Sequence, residues 1–405
     1  MPEAVIVAAA RSPIGRARKG SLTDVRPDDL AAQMVTAALA RVPQLHPADV
    51  DDLMLGCGLP GGEQGFNMAR VVAVQLGYDR MPGTTVTRYC ASSLQTTRMA
   101  LHAIRAGEGE VFISAGVETV SRYVHGDSDS LPGTRNPFFA AAETRTARRA
   151  RDNEPWSDPR ETGLLPDVYI DMGQTAENVA QLTGITRQEQ DQWALRSQNR
   201  AEAAVKEGHF AREITPVACP DGTVISRDDG PRFGATYEKL AALQPVFRPD
   251  GTVTAGNACP LNDGAAALVI MSAAKAASLG AAPLARIVAT GVSGLSPEIM
   301  GLGPVEASRR ALARAGMTID DVDLVEINEA FAVQVLGSAR ELGIDEDRLN
   351  VSGGAIALGH PFGMTGARIT VSLLNNLVAY DKQIGLETMC VGGGQGMSLI
   401  IERLS

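Results

Sequence analysis

The sequence predicts an α/β fold made of two similar lobes, with a different segment inserted between them. Three observations predict it. Short apolar runs that stop at glycine or proline alternate with longer stretches of helical composition, which implies a mostly parallel sheet covered by helices. The rhythm of the first 120 residues returns after position 280. Between these parts, residues 121–248 are polar, carry most of the arginine clusters and are rich in Pro and Gly. Residues 1–120 with 249–280 therefore form one lobe, 281–405 the second, and 121–248 a loop domain. The alternative for 121–248 is a set of long surface connections. A chain of 405 residues buries roughly three quarters of its unfolded surface, so it needs neither a disulfide nor a metal to hold it together.

The elements follow in order. Ala4–Ala10 is a short apolar run ended by Arg11-Ser12-Pro13, a buried strand and then a turn. Asp28 to Ala40 has helical composition, with Asp28 as candidate N-cap. Asp49 to Gly56 is a turn entering a second strand, and Asn67 to Leu76 is helical. Val111–Ala115 is a third strand, stopped by Gly116. In the inserted segment Thr186 to Lys206 is a helix, because Glu189 follows Thr186 by three residues as a capping box does. In the second half, Ala285–Val292 is a strand and Val305–Ala315 a helix. Asp321 to Asn328 echoes the segment that starts at Asp49, and Thr388–Val391 echoes Val111–Ala115.

The net charge of -10 argues against a nucleic-acid binder, which needs a basic face, but leaves room for a small anionic ligand held locally. No apolar run approaches ~18 residues, and the start lacks a basic, apolar leader, so a cytoplasmic chain without a membrane span is expected. The five cysteines, Cys57, Cys90, Cys219, Cys259 and Cys390, are odd in number and without C-x-x-C spacing, which suggests free thiols in a reducing compartment.

Four places carry chemistry. Cys90 precedes Leu94 to Ala106, a helical stretch; at a helix N-terminus the dipole and free N–H groups lower a thiol pKa. Taken alone, it is more often a packed small hydrophobe than a nucleophile. His360 lies in the glycine-dense Gly353–Gly363 loop, where Pro361 restricts it to extended geometry and an imidazole needs a partner, either a thiolate or a backbone carbonyl. Cys390 ends an apolar strand and is followed by Val391-Gly392-Gly393-Gly394-Gln395-Gly396 before another strand. Glycines that join strand to strand are no dinucleotide fingerprint; they can supply oxyanion-binding N–H groups or form a plain tight hairpin. Asn328-Glu329-Ala330-Phe331 follows a strand at the end where open α/β sheets bind ligands, and either polar residue could instead cap the next helix.

Taken together these motifs resemble the thiolase family. Cys90-Ala91-Ser92-Ser93, Asn328-Glu329-Ala330-Phe331, Gly359-His360-Pro361 with Gly366-Ala367-Arg368, and Cys390 to Gly396 are similar to its four motifs, in family order. Arg11 to Gly15, Met172 to Ala180, Gly251 to Asn257 and Asn262 to Ala266 extend the likeness over essentially the whole chain. The resemblance implies two duplicated α/β lobes with mixed sheets in a layered αβαβα core, plus an inserted CoA-binding loop domain. It implies that Cys90 carries an acyl group as a thioester, that His360 takes the Cys90 proton, and that Cys390 is the general acid and base. Asn328 would hold a water that joins His360 in one oxyanion hole; the N–H groups of Cys90 and Gly392 would form the other. Arg232, Met172, Cys259 and Phe331 would contact coenzyme A, which is a substrate and not a resident cofactor; no metal is implied. The implied reaction is CoA-dependent cleavage of a 3-ketoacyl-CoA, as in fatty-acid β-oxidation, or the reverse condensation, with a biosynthetic acetoacetyl-CoA-forming acetyl-CoA acetyltransferase as the alternative, in a homodimer or homotetramer.

The sequence departs from the family at Ser93 (usually glycine), at Cys259-Pro260 (usually Ser-Gly, near the pantetheine) and at Asp171 (histidine in many members). Arg145, Arg148, Arg149 and Arg151 look like an insertion, either a solvated face or a contact for CoA phosphates. Two rivals remain: a decarboxylating ketosynthase-like enzyme, and a non-catalytic acyl-CoA binding protein.

Overall fold

Eight consecutive buried residues, Ala4–Arg11, form β1 at the middle of the main sheet. A strand covered on both faces needs such an unbroken apolar run. The structure is a computed structural model that describes residues 2–125 and 131–405. The other strands are β2 (Gly15–Arg16), β3 (Asp52–Cys57), β4 (Gly83–Val86), β5 (Val111–Thr119), β6 (Val217–Ala218), β7 (Val224–Ile225), β8 (Asn262–Ser272), β9 (Ala285–Gly294), β10 (Leu324–Ile327), β11 (Ile384–Val391) and β12 (Gln395–Arg403). The ten-stranded sheet runs β10-β11-β12-β9-β1-β8-β5-β3-β4, with β2 beside β8; β6 and β7 pair apart from it.

The two halves of this sheet repeat. β3-β5-β8-β1 and β10-β11-β12-β9 have the same order, and in each only the first pair is parallel. The repeat reaches single hydrogen bonds. Asp51 Oδ2 accepts from the N–H groups of Glu110 and Val111, and Asp323 Oδ2 from those of Gln383 and Ile384. The halves join where β1 meets β9 over Val5–Ile6.

Helices fill three layers. Ser92–Ala106 and Thr365–Ala379 lie against each other between the two half-sheets, in a core with Ile6, Leu268, Met389 and Met397. Pro27–Ala40 covers the outer face of the first half, and Gly303–Ala315 that of the second. The result is αβαβα. From the inserted segment, Arg187–Lys206 packs Trp193 and Ala194 into the second outer core, and Thr186 with Glu189 forms the expected capping box.

Three expectations need correction. The sheet is mixed rather than mostly parallel, because β8 and β12 run antiparallel between their neighbours. The first of these is the alanine-rich run Asn262–Ser272, whose pattern alone did not mark it as a strand. Asp28 is not the N-cap: the helix starts at Pro27, whose fixed φ suits the first turn, and Asp28 instead pairs with Arg26. Gly116 does not stop β5, which continues to Thr119. Its missing side chain makes room for Ser93 and the Gly363 carbonyl, so that the helix after Cys90 can press onto the sheet.

Candidate active site

Cys90 sits in a single turn, Tyr89–Ala91, that feeds the Ser92–Ala106 helix. Tyr89 has φ +44°, a left-handed conformation that costs a side-chain-bearing residue roughly 1–2 kcal/mol. Ser92 holds it: Oγ donates to the Tyr89 carbonyl at 2.7 Å and accepts from Arg88 N at 2.9 Å. Ser93 Oγ accepts from Ala367 N at 2.9 Å and so ties this turn to the helix after His360. Burial pushes the Cys90 thiol up to about 12, and the Glu118 charge adds to it. The nearby backbone N–H groups of Gly392 and of Cys90 itself favour the thiolate and oppose that shift only in part. The expected lowering by the helix N-terminus is therefore outweighed, because desolvation of a thiolate exceeds two N–H donors.

His360 follows Gly359, whose φ of +118° and close approach to Ile14 and Asn262 leave no room for a Cβ. The His360 N–H donates to Asn262 Oδ1 at 3.0 Å. Nδ1 lies 2.7 Å from Thr365 Oγ1, and Nε2 lies 3.3 Å from Asn328 Nδ2. Phe362 packs against the ring at 5.1 Å between centroids. Burial, with the nearby Arg368 charge, pulls the imidazole down to about 3, so it is neutral.

Cys390 lies fully buried near the end of β11, opposite Gly396 of β12. Burial, and then the proximity of Cys90 and Cys259, pushes its thiol far above the usual range. Residues 392–394 make the hairpin turn that carries Gly392 to Cys90. A cavity of about 310 Å³ opens beside Cys90; Tyr89, Met172, Phe362, Gly392 and Arg135 are among its walls. Asn328 is buried, and its Oδ1 has no partner among the described residues, an acceptor free for a water or a substrate group.

The structure thus brings Cys90, Gly392 and Met172 to one cavity, with Asn328 and His360 joined to each other and linked to it through Phe362. Cys259 and Phe331 lie together, where Cys259 N donates to the Ala330 carbonyl and Ala258 pairs with Phe331. Arg232 is not among the residues of the cavity wall; its N–H donates to Gln198 Oε1. Both readings of the arginine insertion are corrected for half of it. Arg145 and Arg149 are largely buried and face Glu298, at 2.9 and 3.9 Å, while Arg148 and Arg151 are exposed and pair with Glu154 and Asp152.

Sequence reasoning missed Glu118 and Thr365. The buried Glu118 carboxylate accepts from Gly58 N, Gly363 N, Gln64 Nε2 and Tyr123 Oη at 2.7–2.8 Å, pinning two loops of the cavity wall. A carboxylate within the apolar run Val111–Val120 was the available signal, since a buried charge needs partners.

The model of the thiolase N-terminal domain matches residues 4–274, and that of the C-terminal domain matches 281–403. The chain belongs to the thiolase family. It is 42% identical to the 3-ketoacyl-CoA thiolase of Bacillus subtilis, over 99% of this chain and all of that one. It is 44% identical to the acetyl-CoA acetyltransferase of Cupriavidus necator, and 43% identical to the 3-oxoadipyl-CoA/3-oxo-5,6-dehydrosuberyl-CoA thiolase of Escherichia coli, in both cases over the full length of both chains. The crystal structure of the Bacillus anthracis acetyl-CoA acetyltransferase superposes with a TM-score of 0.86 at 40% identity, covering 100% of this chain and 99% of that one. As a thiolase, the chain is an acyltransferase. Its departure at Ser93 has a visible role, the bond to Ala367 N, which a glycine there could not make. Among the described residues no helix is long and apolar enough to cross a membrane.

Proposed function

We propose that this thiolase cleaves a 3-ketoacyl-CoA with CoA, or runs the reverse condensation, through a thioester on Cys90. The observation that carries the reading is that Cys90 and Gly392 line one acyl-sized cavity, with the backbone N–H groups of both near enough to the Cys90 sulfur to favour its anion. Those donors, freed when the sulfur is acylated, are positioned for the carbonyl oxygen of the thioester.

The Cys90 sulfur attacks the 3-keto carbon while its proton passes to His360 Nε2. The C2–C3 bond then breaks, leaving the shortened acyl group on sulfur and an acetyl-CoA enolate that takes the Cys390 proton. His360 N–H, with a water on Asn328 Oδ1, supports the enolate oxygen. Cys390 recovers a proton from the incoming CoA thiol, which attacks the thioester and releases acyl-CoA. Residues 121–248, with Met172 and Arg232, and Cys259 and Phe331 beyond them, hold CoA on this reading. β4 lies at the free end of the sheet, which suits pairing of two copies into a homodimer or homotetramer. A cytoplasmic setting fits five free thiols.

Intact-mass analysis after mixing with acyl-CoA tests the reading. The native chain gains one acyl group and C90A gains none; acylation of C90A overturns the assignment. CoA-dependent cleavage across 3-ketoacyl-CoAs of several lengths, one ω-carboxylated, then names the substrate.

A further inference from the structure

Nδ1 of His360 lies 2.7 Å from Thr365 Oγ1, and the same hydroxyl lies 2.7 Å from the Pro361 carbonyl. The hydroxyl has one hydrogen. A carbonyl cannot donate, so the contact to Pro361 is a hydrogen bond only if that hydrogen points at it. Oγ1 must then accept from Nδ1–H, which leaves the lone pair on Nε2. The opposite tautomer would turn the hydroxyl to Nδ1 and set two bare oxygens 2.7 Å apart in a buried site. Asn328 Nδ2 lies 3.3 Å from Nε2 and 3.5 Å from Nδ1, nearly equidistant from both ring nitrogens, so the choice of tautomer rests on Thr365. Both Thr365 contacts are satisfied in the first arrangement, and one of them fails in the other.

We propose that Thr365 is a positioning residue that fixes His360 as the Nδ1–H tautomer, presenting Nε2 as the proton acceptor for Cys90. The inference rests on the role of His360 given above. The Pro361 carbonyl is the anchor, one turn before the Thr365–Ala379 helix, so the tautomer is set by backbone rather than by another titrating group. Once Nε2 takes the Cys90 proton, Thr365 still accepts from Nδ1–H, and the ring keeps its orientation as it becomes a donor to substrate oxygen. The equivalent helix start in the other half uses the same device: Ser92 Oγ accepts from Arg88 N and donates to the Tyr89 carbonyl.

The test compares T365S with T365V in the full-length enzyme carrying 15N-labelled histidine, with H360N used to assign the His360 signals. In the native chain and T365S, Nδ1 carries the proton and kcat agrees within about threefold. In T365V the tautomer shifts toward Nε2–H and kcat falls by roughly 10–100-fold with little change in KM, as for other residues that orient a functional histidine. If T365V fails to fold, T365A supplies the same readout. A native His360 protonated on Nε2, or a valine or alanine variant with unchanged tautomer and rate, overturns the inference. Acylation surviving in H360N would instead refute the base role of His360, while the tautomer measurement would stand.

Discussion

Replacing Glu118 with glutamine exchanges one acceptor oxygen for an amide NH₂, in a site where every neighbour donates. Oε2 takes the N–H groups of Gly58 and Gly363 at 2.7 and 2.8 Å, and Oε1 takes Gln64 Nε2, Tyr123 Oη and Leu59 N at 2.7, 2.8 and 3.3 Å. Either amide orientation therefore confronts at least two donors with a donor. At the low end of about 1.5 kcal/mol for each bond to a charged group, E118Q loses roughly 3 kcal/mol of stability. Urea unfolding followed by circular dichroism reads this as a lower midpoint at unchanged slope. The same change removes the charge that, after burial, raises the Cys90 thiol, so alkylation of Cys90 at a fixed mildly alkaline pH should quicken. A stability loss below about 1 kcal/mol would show that the carboxylate clamp is not what holds the Gly58 and Gly363 loops.

Glu326 is fully buried, and desolvation, with Glu329 and Glu213 adding to it, pushes its carboxyl up to about 8 from 4.5. The folded chain then holds the proton more tightly than the unfolded one, so this contribution is complete below about pH 4.5 and lost as pH rises toward 8. E326Q, which keeps the oxygen bonded to Asn376 Nδ2, should flatten the decline in thermal midpoint over that window. R145A removes bonds to Glu298 and to the Leu165 carbonyl and should cost about 1.5–3 kcal/mol, with faster proteolysis around residues 140–170, whereas R148A leaves the midpoint unchanged. A Cβ on Gly396 would run into the Gly303 carbonyl where β12 meets the helix Gly303–Ala315; G396A should cost on the order of 4–5 kcal/mol or give no soluble protein.

The sequence made the two lobes legible because their signals are local. An apolar run such as Ala4–Arg11 or a capping box such as Thr186 with Glu189 needs no distant partner to be recognised. Cys90, Asn328, His360 and Cys390 were legible as motifs, yet only the folded chain shows which of them touch. Strand direction was not legible, since an antiparallel strand between parallel neighbours has the same composition as a parallel one. The Cys90 environment was misjudged for a related reason. The helix start is a local feature, whereas the walls around the sulfur include Met172, Phe362 and Gly392, which are distant in the sequence. Glu118 and Thr365 act through partners at Gly363 and His360; a carboxylate in an apolar run signals that it needs partners, but neither residue shows where in the sequence they lie.

The duplication explains where the site lies. Each central helix has fifteen residues and begins the same nineteen residues before its strand, Ser92 before Val111 and Thr365 before Ile384. By that register the loop carrying Cys90 is the counterpart of the loop carrying His360, and the two central helices lie against each other. The pseudo-symmetry brings together two copies of one loop-to-helix junction, and the chemistry comes from filling them differently. The counterpart of Cys90 is Gly363, whose missing side chain lets it pack against the Val117 and Gly56 carbonyls. The counterpart of Cys390 is Val117, followed by the Glu118 that clamps the wall. On the proposed mechanism neither half holds the reaction alone. The burial between them keeps the proton on sulfur, with the thiol pushed up to about 12 and the imidazole down to about 3. Charge separation between the thiol and the imidazole is therefore costly. On the proposed mechanism it becomes accessible once a substrate carbonyl offers the negative charge a place near the Gly392 N–H, which confines the reactive thiolate to the moment when there is an acyl group to accept it.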